Sequence, residues 1–217
     1  MQITLILDFD GVILESVSVK TEAFRALFSF SPEHVDEIVQ FHVDNGGISR
    51  FDKFRQIYSK ILNEDLPQEK FEMLSLRFSE LVEEAVERAP FVEGAPEFLK
   101  YAYKQYPLYI VSATPEDELR RIVSRRGIEH FFRRVCGSPL KKKDHIEGII
   151  RENYLNRHDV LFIGDAVNDW EAARQCNIRF IGRTMRGDPN RFEGLSGIEQ
   201  RIANLHDLKN YLESLPC

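Results

Sequence analysis

Two short apolar runs in this chain stop abruptly on acids. Ile3-Thr4-Leu5-Ile6-Leu7 ends in Asp8-Phe9-Asp10-Gly11, and Val160-Leu161-Phe162-Ile163 ends in Gly164-Asp165. Continuous apolar runs of this length read as strands buried on both faces. Leu108-Tyr109-Ile110-Val111-Ser112, Arg134-Val135-Cys136-Gly137 and Ile178-Arg179-Phe180-Ile181 read as three more strands. Helical segments separate them: Pro96 to about Gln105, a helix opened by Thr114-Pro115-Glu116 and ending near Gly127, about Lys142 to Tyr154, Ala166 to Cys176, and Asp207 to Leu215. Strands alternating with helices imply a parallel sheet with right-handed crossovers. The fold class is α/β, a doubly wound parallel-sheet core.

Between the first two strands the pattern is helical only. Ser31-Pro32-Glu33 reads as a cap, a first-turn proline and an acidic first turn, closed by Gly46-Gly47. Ser49 with Asp52 starts a second helix, with Phe51, Phe54, Ile57, Tyr58, Ile61 and Leu62 at three- and four-residue spacing. Pro67 opens a third, whose apolar face includes Phe71, Leu74, Phe78, Val82 and Val86. Residues 16–89 therefore read as a helical domain with its own phenylalanine-rich core, inserted into a core domain of 1–15 and 90–217. The hinges fall near 14–18 and 88–92.

Composition narrows the function. A formal charge of −6, from 29 basic and 35 acidic residues, excludes a broad electrostatic grip on nucleic acid or an anionic membrane. No apolar run approaches the roughly 20 residues of a membrane span, and no basic stretch precedes the first run as in a signal peptide. Cys136, Cys176 and Cys217 form no CxxC pair, and the six histidines show no HExxH or paired spacing. Disulfides and structural zinc are not expected, and a cytoplasmic location fits. With no heptad pattern, a monomer is expected.

In open parallel sheets, ligands bind beyond the carboxyl ends of the strands. Those ends carry Asp8 and Asp10, Ser112, Ser138 with Lys141-Lys142-Lys143, and Asp165 with Asp169. Alternation along extended backbone lets Asp8 and Asp10 face one way while Phe9 turns inward. Asp165 and Asp169, four apart, share one side if a helix begins between them. Carboxylates converging on one cleft repel unless a cation joins them, and hard oxygen donors suit Mg²⁺ better than zinc or copper. A lysine, a serine hydroxyl and free amides at a helix start complete a receptor for a phosphoryl group, with a carboxylate placed to attack it.

Asp8-Phe9-Asp10-Gly11-Val12, Ile110-Val111-Ser112-Ala113-Thr114, Gly137-Ser138-Pro139 with its lysines, and Gly164-Asp165-Ala166-Val167-Asn168-Asp169 together resemble, in order, the four motifs of the haloacid dehalogenase-like hydrolases. The nearest branch resembles the phosphoglycolate phosphatases and β-phosphoglucomutases, and the helical insert sits where that family carries its C1 cap. The resemblance implies that Asp8 is the nucleophile and forms an aspartyl-phosphate. It implies that Asp10 protonates the leaving oxygen, then deprotonates water, and offers its main-chain carbonyl to Mg²⁺. Ser112 and the amides around Gly11 and Ala113 would hold phosphate oxygens. Lys142 would pair with Asp8, with Lys143 as the alternative in the same run. Asp165 and Asp169 would join Asp8 and Asp10 around the metal. Gly46-Gly47-Ile48-Ser49-Arg50 is similar to a Gly-x-Ser-Arg cap segment, which implies that Gly47 and Arg50 touch substrate. The reaction implied is hydrolysis of a small phosphorylated metabolite.

Each feature also has a plainer reading. Asp8-Asp10 fits a tight acidic turn, Thr114 fits an N-cap, two of the three lysines fit a solvated helix start, and Gly46-Gly47 fits a helix stop. Trp170 and Cys136 read as packing residues. A sugar-phosphate mutase would use the same residues under a cap that excludes water. A phospho-accepting switch would need neither Asp10 nor the insert.

Overall fold

The computed structural model describes every residue except Met1, Gln2, Arg186, Asp188, Pro189, Pro216 and Cys217, so the expectations for Cys217 lie outside the described residues. Strand β1 (Thr4–Leu7) is followed by helices α1 (Val17–Leu27), α2 (Val35–Asp44), α3 (Arg50–Ile57) and α4 (Gln68–Arg88). The chain continues through α5 (Ala95–Ala102), β2 (Leu108–Pro115), α6 (Glu116–Arg125), β3 (Arg134–Ser138) and α7 (Lys142–Glu152). It closes with β4 (Val160–Gly164), α8 (Val167–Gln175), β5 (Arg179–Arg183), β6 (Gln200–Ile202) and α9 (Leu205–Ser214). The sheet order is β3-β2-β1-β4-β5-β6, with every neighbouring pair parallel. This is the doubly wound architecture expected from the alternating pattern. Among the described residues no helix is long and apolar enough to cross a membrane.

Strand alternation builds two apolar layers. Leu5, Leu7, Leu108, Ile110, Leu161 and Ile163 face one side, where Phe98 of α5, Leu119 and Ile122 of α6, and Leu208 and Leu212 of α9 cover them. Ile6, Tyr109, Val111, Val160 and Phe162 face the other, under Ile146 and Ile149 of α7 and Ala172 and Ala173 of α8. Each large apolar side chain so buried contributes about 1.5–3 kcal/mol. Such two-sided burial explains why these strands read as unbroken apolar runs. Strand β6 escaped that reading because Gln200 and Arg201 are exposed and only Ile202 is buried, a pattern tolerated at a sheet edge.

The insert enters and leaves side by side. Glu15 N donates to Pro90 O at 2.9 Å, Val92 N donates to Ile13 O at 2.9 Å, and Leu14 bridges Phe91. Ser49 caps α3 by accepting from Asp52 N, and α4 begins after Pro67, as expected. Two expectations need correction. Ser31-Pro32-Glu33 forms a turn, and α2 begins only at Val35, because the Ser31 hydroxyl is occupied with Glu33 and the His34 ring. The aromatic cluster is also not a separate core. Phe24, Phe28, Phe54, Tyr58 and Phe78 join the same continuous apolar cluster as Leu5 and Leu7.

Candidate active site

Strands β1 and β4 are neighbours, while β2 and β5 lie on their outer sides, so strand order reverses between them and a crevice opens beyond their ends. Asp8 follows β1 there, its N–H donating to Ile163 O at 2.9 Å and its carboxylate accepting from Phe9 N at 2.6 Å. Asp165 follows β4, and Asp169 sits in the first turn of α8. Carboxylate oxygens of Asp8, Asp165 and Asp169 lie within 4.8 Å of one another. Gly11, at φ +72°, makes this possible, since a Cβ there would stand 2.3 Å from Asp165 Oδ2.

Lys142 opens α7 and reaches into this cluster, with Nζ 2.7 Å from Asp8 Oδ2 and 2.5 Å from Asp169 Oδ1. Lys141 and Lys143 are exposed, so of the three consecutive lysines only Lys142 stands at the carboxylates. Ser112 is buried at the cavity wall beside Ala113, its Oγ accepting from Thr114 N at 3.2 Å.

Asp10 turns its carboxylate to different partners. Ser16 Oγ donates to it at 2.6 Å and Thr114 Oγ1 at 2.8 Å, and Lys20 forms an ion pair with it. Thr114 is therefore not the N-cap that its sequence context implies. Strand β2 runs on to Pro115, which takes the cap position with no side-chain bond, and the Thr114 hydroxyl is aimed at Asp10 instead. Lys20 was not among the residues singled out from sequence. A lysine on an amphipathic helix carries no local sign that it will meet Asp10.

The insert contributes the rest of a cavity of about 430 Å³, lined among others by Asp8, Asp10, Lys20, Arg50, Lys53 and Ser112. Gly47, at φ +77°, packs so closely on the first turn of α8 that a Cβ would stand 3.0 Å from Asn168 Cβ. Arg50 lines the cavity, but its guanidinium is engaged. It donates to Glu118 Oε1 at 2.6 Å and to Ser79 Oγ at 2.9 Å, and it lies over the Phe78 ring. This buried pair ties α3 to α6.

The charges are far from their solution behaviour. Burial pushes the Asp8 carboxyl up to about 7 against the pull of Lys142, with Asp169 and Asp10 adding repulsion. Burial, Asp169 and Asp8 raise Asp165 well above the usual carboxylate range. Burial works against the Lys142 ammonium, yet Asp169 and Asp8 hold its proton more firmly than in water. Burial also opposes the ionised form of Asp10, but Lys20, Ser16 and Thr114 outweigh it and hold the carboxyl below its usual value. The two thiols among the described residues carry no such activation, since burial raises Cys136 to about 11 and Cys176 to about 12.

Two buried carboxylates and the partly exposed Asp165 against one lysine leave repulsion that a hard divalent cation would relieve, and the donors are all oxygen. The residues fit Mg²⁺. A stability measurement tests this fit. A carboxyl raised in the folded state favours folding most below its unfolded pKa and loses that contribution as pH climbs through the folded value; for Asp8 the window runs from 3.8 to about 7. Asp165→Asn removes one such group. In EDTA at neutral pH the variant is expected to melt several degrees above the wild type, and Mg²⁺ should raise the melting temperature of the wild type only. Equal Mg²⁺ shifts in both proteins would remove Asp165 from the metal site.

The profile of the haloacid dehalogenase-like hydrolases matches residues 5–183. Phosphoglycolate phosphatase 1 of Pseudomonas aeruginosa is 22% identical over 219 residues, covering 97% of this chain and 77% of that protein. A hydrolase from Pseudomonas syringae superposes with a TM-score of 0.82 at 19% identity, covering 100% of both chains. β-Phosphoglucomutase from Clostridium difficile superposes at 0.78 with 18% identity, covering 98% of this chain and 96% of its own. At these identities the superpositions speak for the fold, while the matched span contains all four strand ends that carry Asp8 and Asp10, Ser112, Lys142, and Asp165 with Asp169. The chain belongs to the haloacid dehalogenase-like hydrolases.

Proposed function

We propose that this hydrolase is a phosphatase of a small phosphorylated metabolite, working through an aspartyl-phosphate on Asp8. The observation that carries the reading is the division of labour between two acids on one turn. Asp8 is set against Lys142, while Asp10 is wired separately to Ser16, Lys20 and Thr114. Mg²⁺ held by Asp8, Asp165, Asp169 and the main-chain carbonyl of Asp10 would offset charge on the phosphoryl oxygens.

In the first step an Asp8 oxygen forms a bond to phosphorus as the bond to the leaving oxygen breaks, and Asp10 protonates that oxygen. Lys142 keeps Asp8 in place and balances the incoming negative charge. Ser112 and the amides near Gly11 and Ala113 hold the remaining oxygens. In the second step water attacks phosphorus, Asp10 takes its proton, and the Asp8 carboxylate is regenerated. Lys20, Ser16 and Thr114 favour the ionised Asp10 that this second step uses. Residues 16–89 act as the cap on a core of 1–15 and 90–217, hinged where Glu15 meets Pro90. Burial of Glu118 against Arg50 makes that ion pair a latch between cap and core. The enzyme works as a cytoplasmic monomer without a nucleic-acid or membrane partner.

Phosphate release from a panel of small phosphomonoesters and an aryl phosphate tests the reading. Release is expected with Mg²⁺, and a fall of at least about 100-fold is expected in EDTA. A folded, Mg²⁺-loaded protein that releases phosphate from nothing in the panel would overturn it. Isomerisation of a sugar phosphate without release would point to a mutase instead.

A further inference from the structure

The segment from Asp10 to Ser16 is a short loop with the proposed acid–base residue at one end and the cap hinge at the other. It folds back on itself after Gly11, at φ +72°, whose N–H donates to Leu14 O at 2.8 Å. A glycine there leaves the backbone permissive. At the far end Glu15 N donates to Pro90 O at the hinge, and Ser16 Oγ donates to the Asp10 carboxylate at 2.6 Å. A swing of the cap about that hinge would pull on the same residues that present Asp10.

Arg183, the last residue of β5, grips this loop at two points. Its side chain is 5% exposed. Nη1 donates to Gly11 O at 2.9 Å, and Nη1 and Nη2 meet the two carboxylate oxygens of Glu15 as a fork. Nε donates at 3.0 Å to Ala203 O, between β6 and α9. The residue after Asp10 and the residue before Ser16 are thus tied through one guanidinium to the β5–β6 side of the sheet. Taking both charges out of water offsets much of the attraction in a buried ion pair, so its net stabilisation is small. What the fork supplies is geometry, through planar donors that a lysine does not have.

We infer that Arg183 is a positioning residue for Asp10. It acts through Gly11 O and the Glu15 carboxylate, holding the backbone of the loop while Ser16, Lys20 and Thr114 hold the Asp10 side chain. Asp10 is thereby kept aimed at the leaving oxygen while the cap moves. The inference rests on the acid–base reading of Asp10. Arg183 and Glu15 also line the cavity, so direct contact between Arg183 and the phosphoryl group is the competing role that the test must separate.

The test compares kcat/KM for ethyl phosphate and p-nitrophenyl phosphate in Arg183→Met, Asp10→Asn and the double variant, with inorganic phosphate as a competitive inhibitor. Arg183→Met is expected to lose about 10- to 100-fold on ethyl phosphate, the scale of a misplaced catalytic group, and distinctly less on p-nitrophenyl phosphate, whose leaving group needs no proton. The inhibition constant of phosphate should stay within about twofold. In the Asp10→Asn background the same substitution should cost no more than about twofold, because its effect passes through Asp10. Arg183→Lys keeps the charge without the fork and should show the same pattern at smaller size; it serves alone if Arg183→Met does not fold. An equal loss on both esters, a loss that persists in full beside Asp10→Asn, or a weakened grip on phosphate overturns the inference. Asp10→Asn without a leaving-group dependence overturns the acid reading of Asp10, and no turnover by the wild type overturns the phosphatase reading.

Discussion

Asp8→Asn is expected to stop phosphate release, lowering kcat by roughly 10⁴- to 10⁶-fold, the scale on which removing a nucleophile from a cooperating group of residues acts. Asparagine matches the shape of the side chain but keeps one acceptor oxygen, enough for the Phe9 amide or the Lys142 ammonium and not for both, since these meet different oxygens of Asp8. What it lacks is the anionic oxygen that bonds to phosphorus. The loss should therefore be a loss of chemistry without a loss of structure. Asp8 is buried beside two other carboxylates, and in the metal-free protein its ionisation opposes folding. The variant should accordingly melt no lower than the wild type in EDTA. Measured together, phosphate release and thermal unfolding separate the two effects. An Asp8→Asn enzyme that keeps a tenth of its activity would show that Asp8 does not attack.

Asp10→Asn should cost about 10²- to 10⁴-fold, the range of general acid–base catalysis. The size of the loss should depend on the leaving group. An alkyl alkoxide needs a proton to depart, whereas a nitrophenolate leaves without one, so the deficit should be larger on ethyl phosphate than on p-nitrophenyl phosphate. Water activation in the second step sets the part common to both. Ser16, Lys20 and Thr114 surround this carboxylate, so the amide should be held in nearly the same place. A uniform loss across leaving groups would assign Asp10 to water activation alone.

Much of the fold was legible because burial on both faces leaves a simple trace. Strands β1, β2 and β4 stand out as apolar runs, and their polar ends mark the crevice. Two helix starts escaped the pattern for one physical reason. Ser16 and Thr114 each occupy or adjoin a helix start, where a hydroxyl ordinarily caps. Both hydroxyls instead donate to Asp10, so helix α1 has no side-chain cap to announce it and α6 starts without the expected one. Site chemistry displaced local capping at both points. Lys20 and Glu118 were invisible for a different reason, since each gains its meaning from a partner 10 to 94 residues away, such as Asp10 or Thr114 for Lys20. Arg50 shows the converse. Its segment suggested substrate contact, and only the folded structure, which brings Arg50 of α3 to Glu118 of α6, reveals its partner.

The central claim is covalent attack by Asp8, and trapping the intermediate tests it most directly. The enzyme would be mixed with Mg²⁺ and a ³²P-labelled substrate drawn from the panel, quenched in acid within milliseconds, and mapped by peptide after borohydride reduction. The expected result is hydroxylamine-labile label on the peptide containing Asp8, its conversion to homoserine by borohydride, and no label on Asp8→Asn. A burst of free phosphate with unlabelled protein, alongside undiminished turnover by Asp8→Asn, would contradict the account.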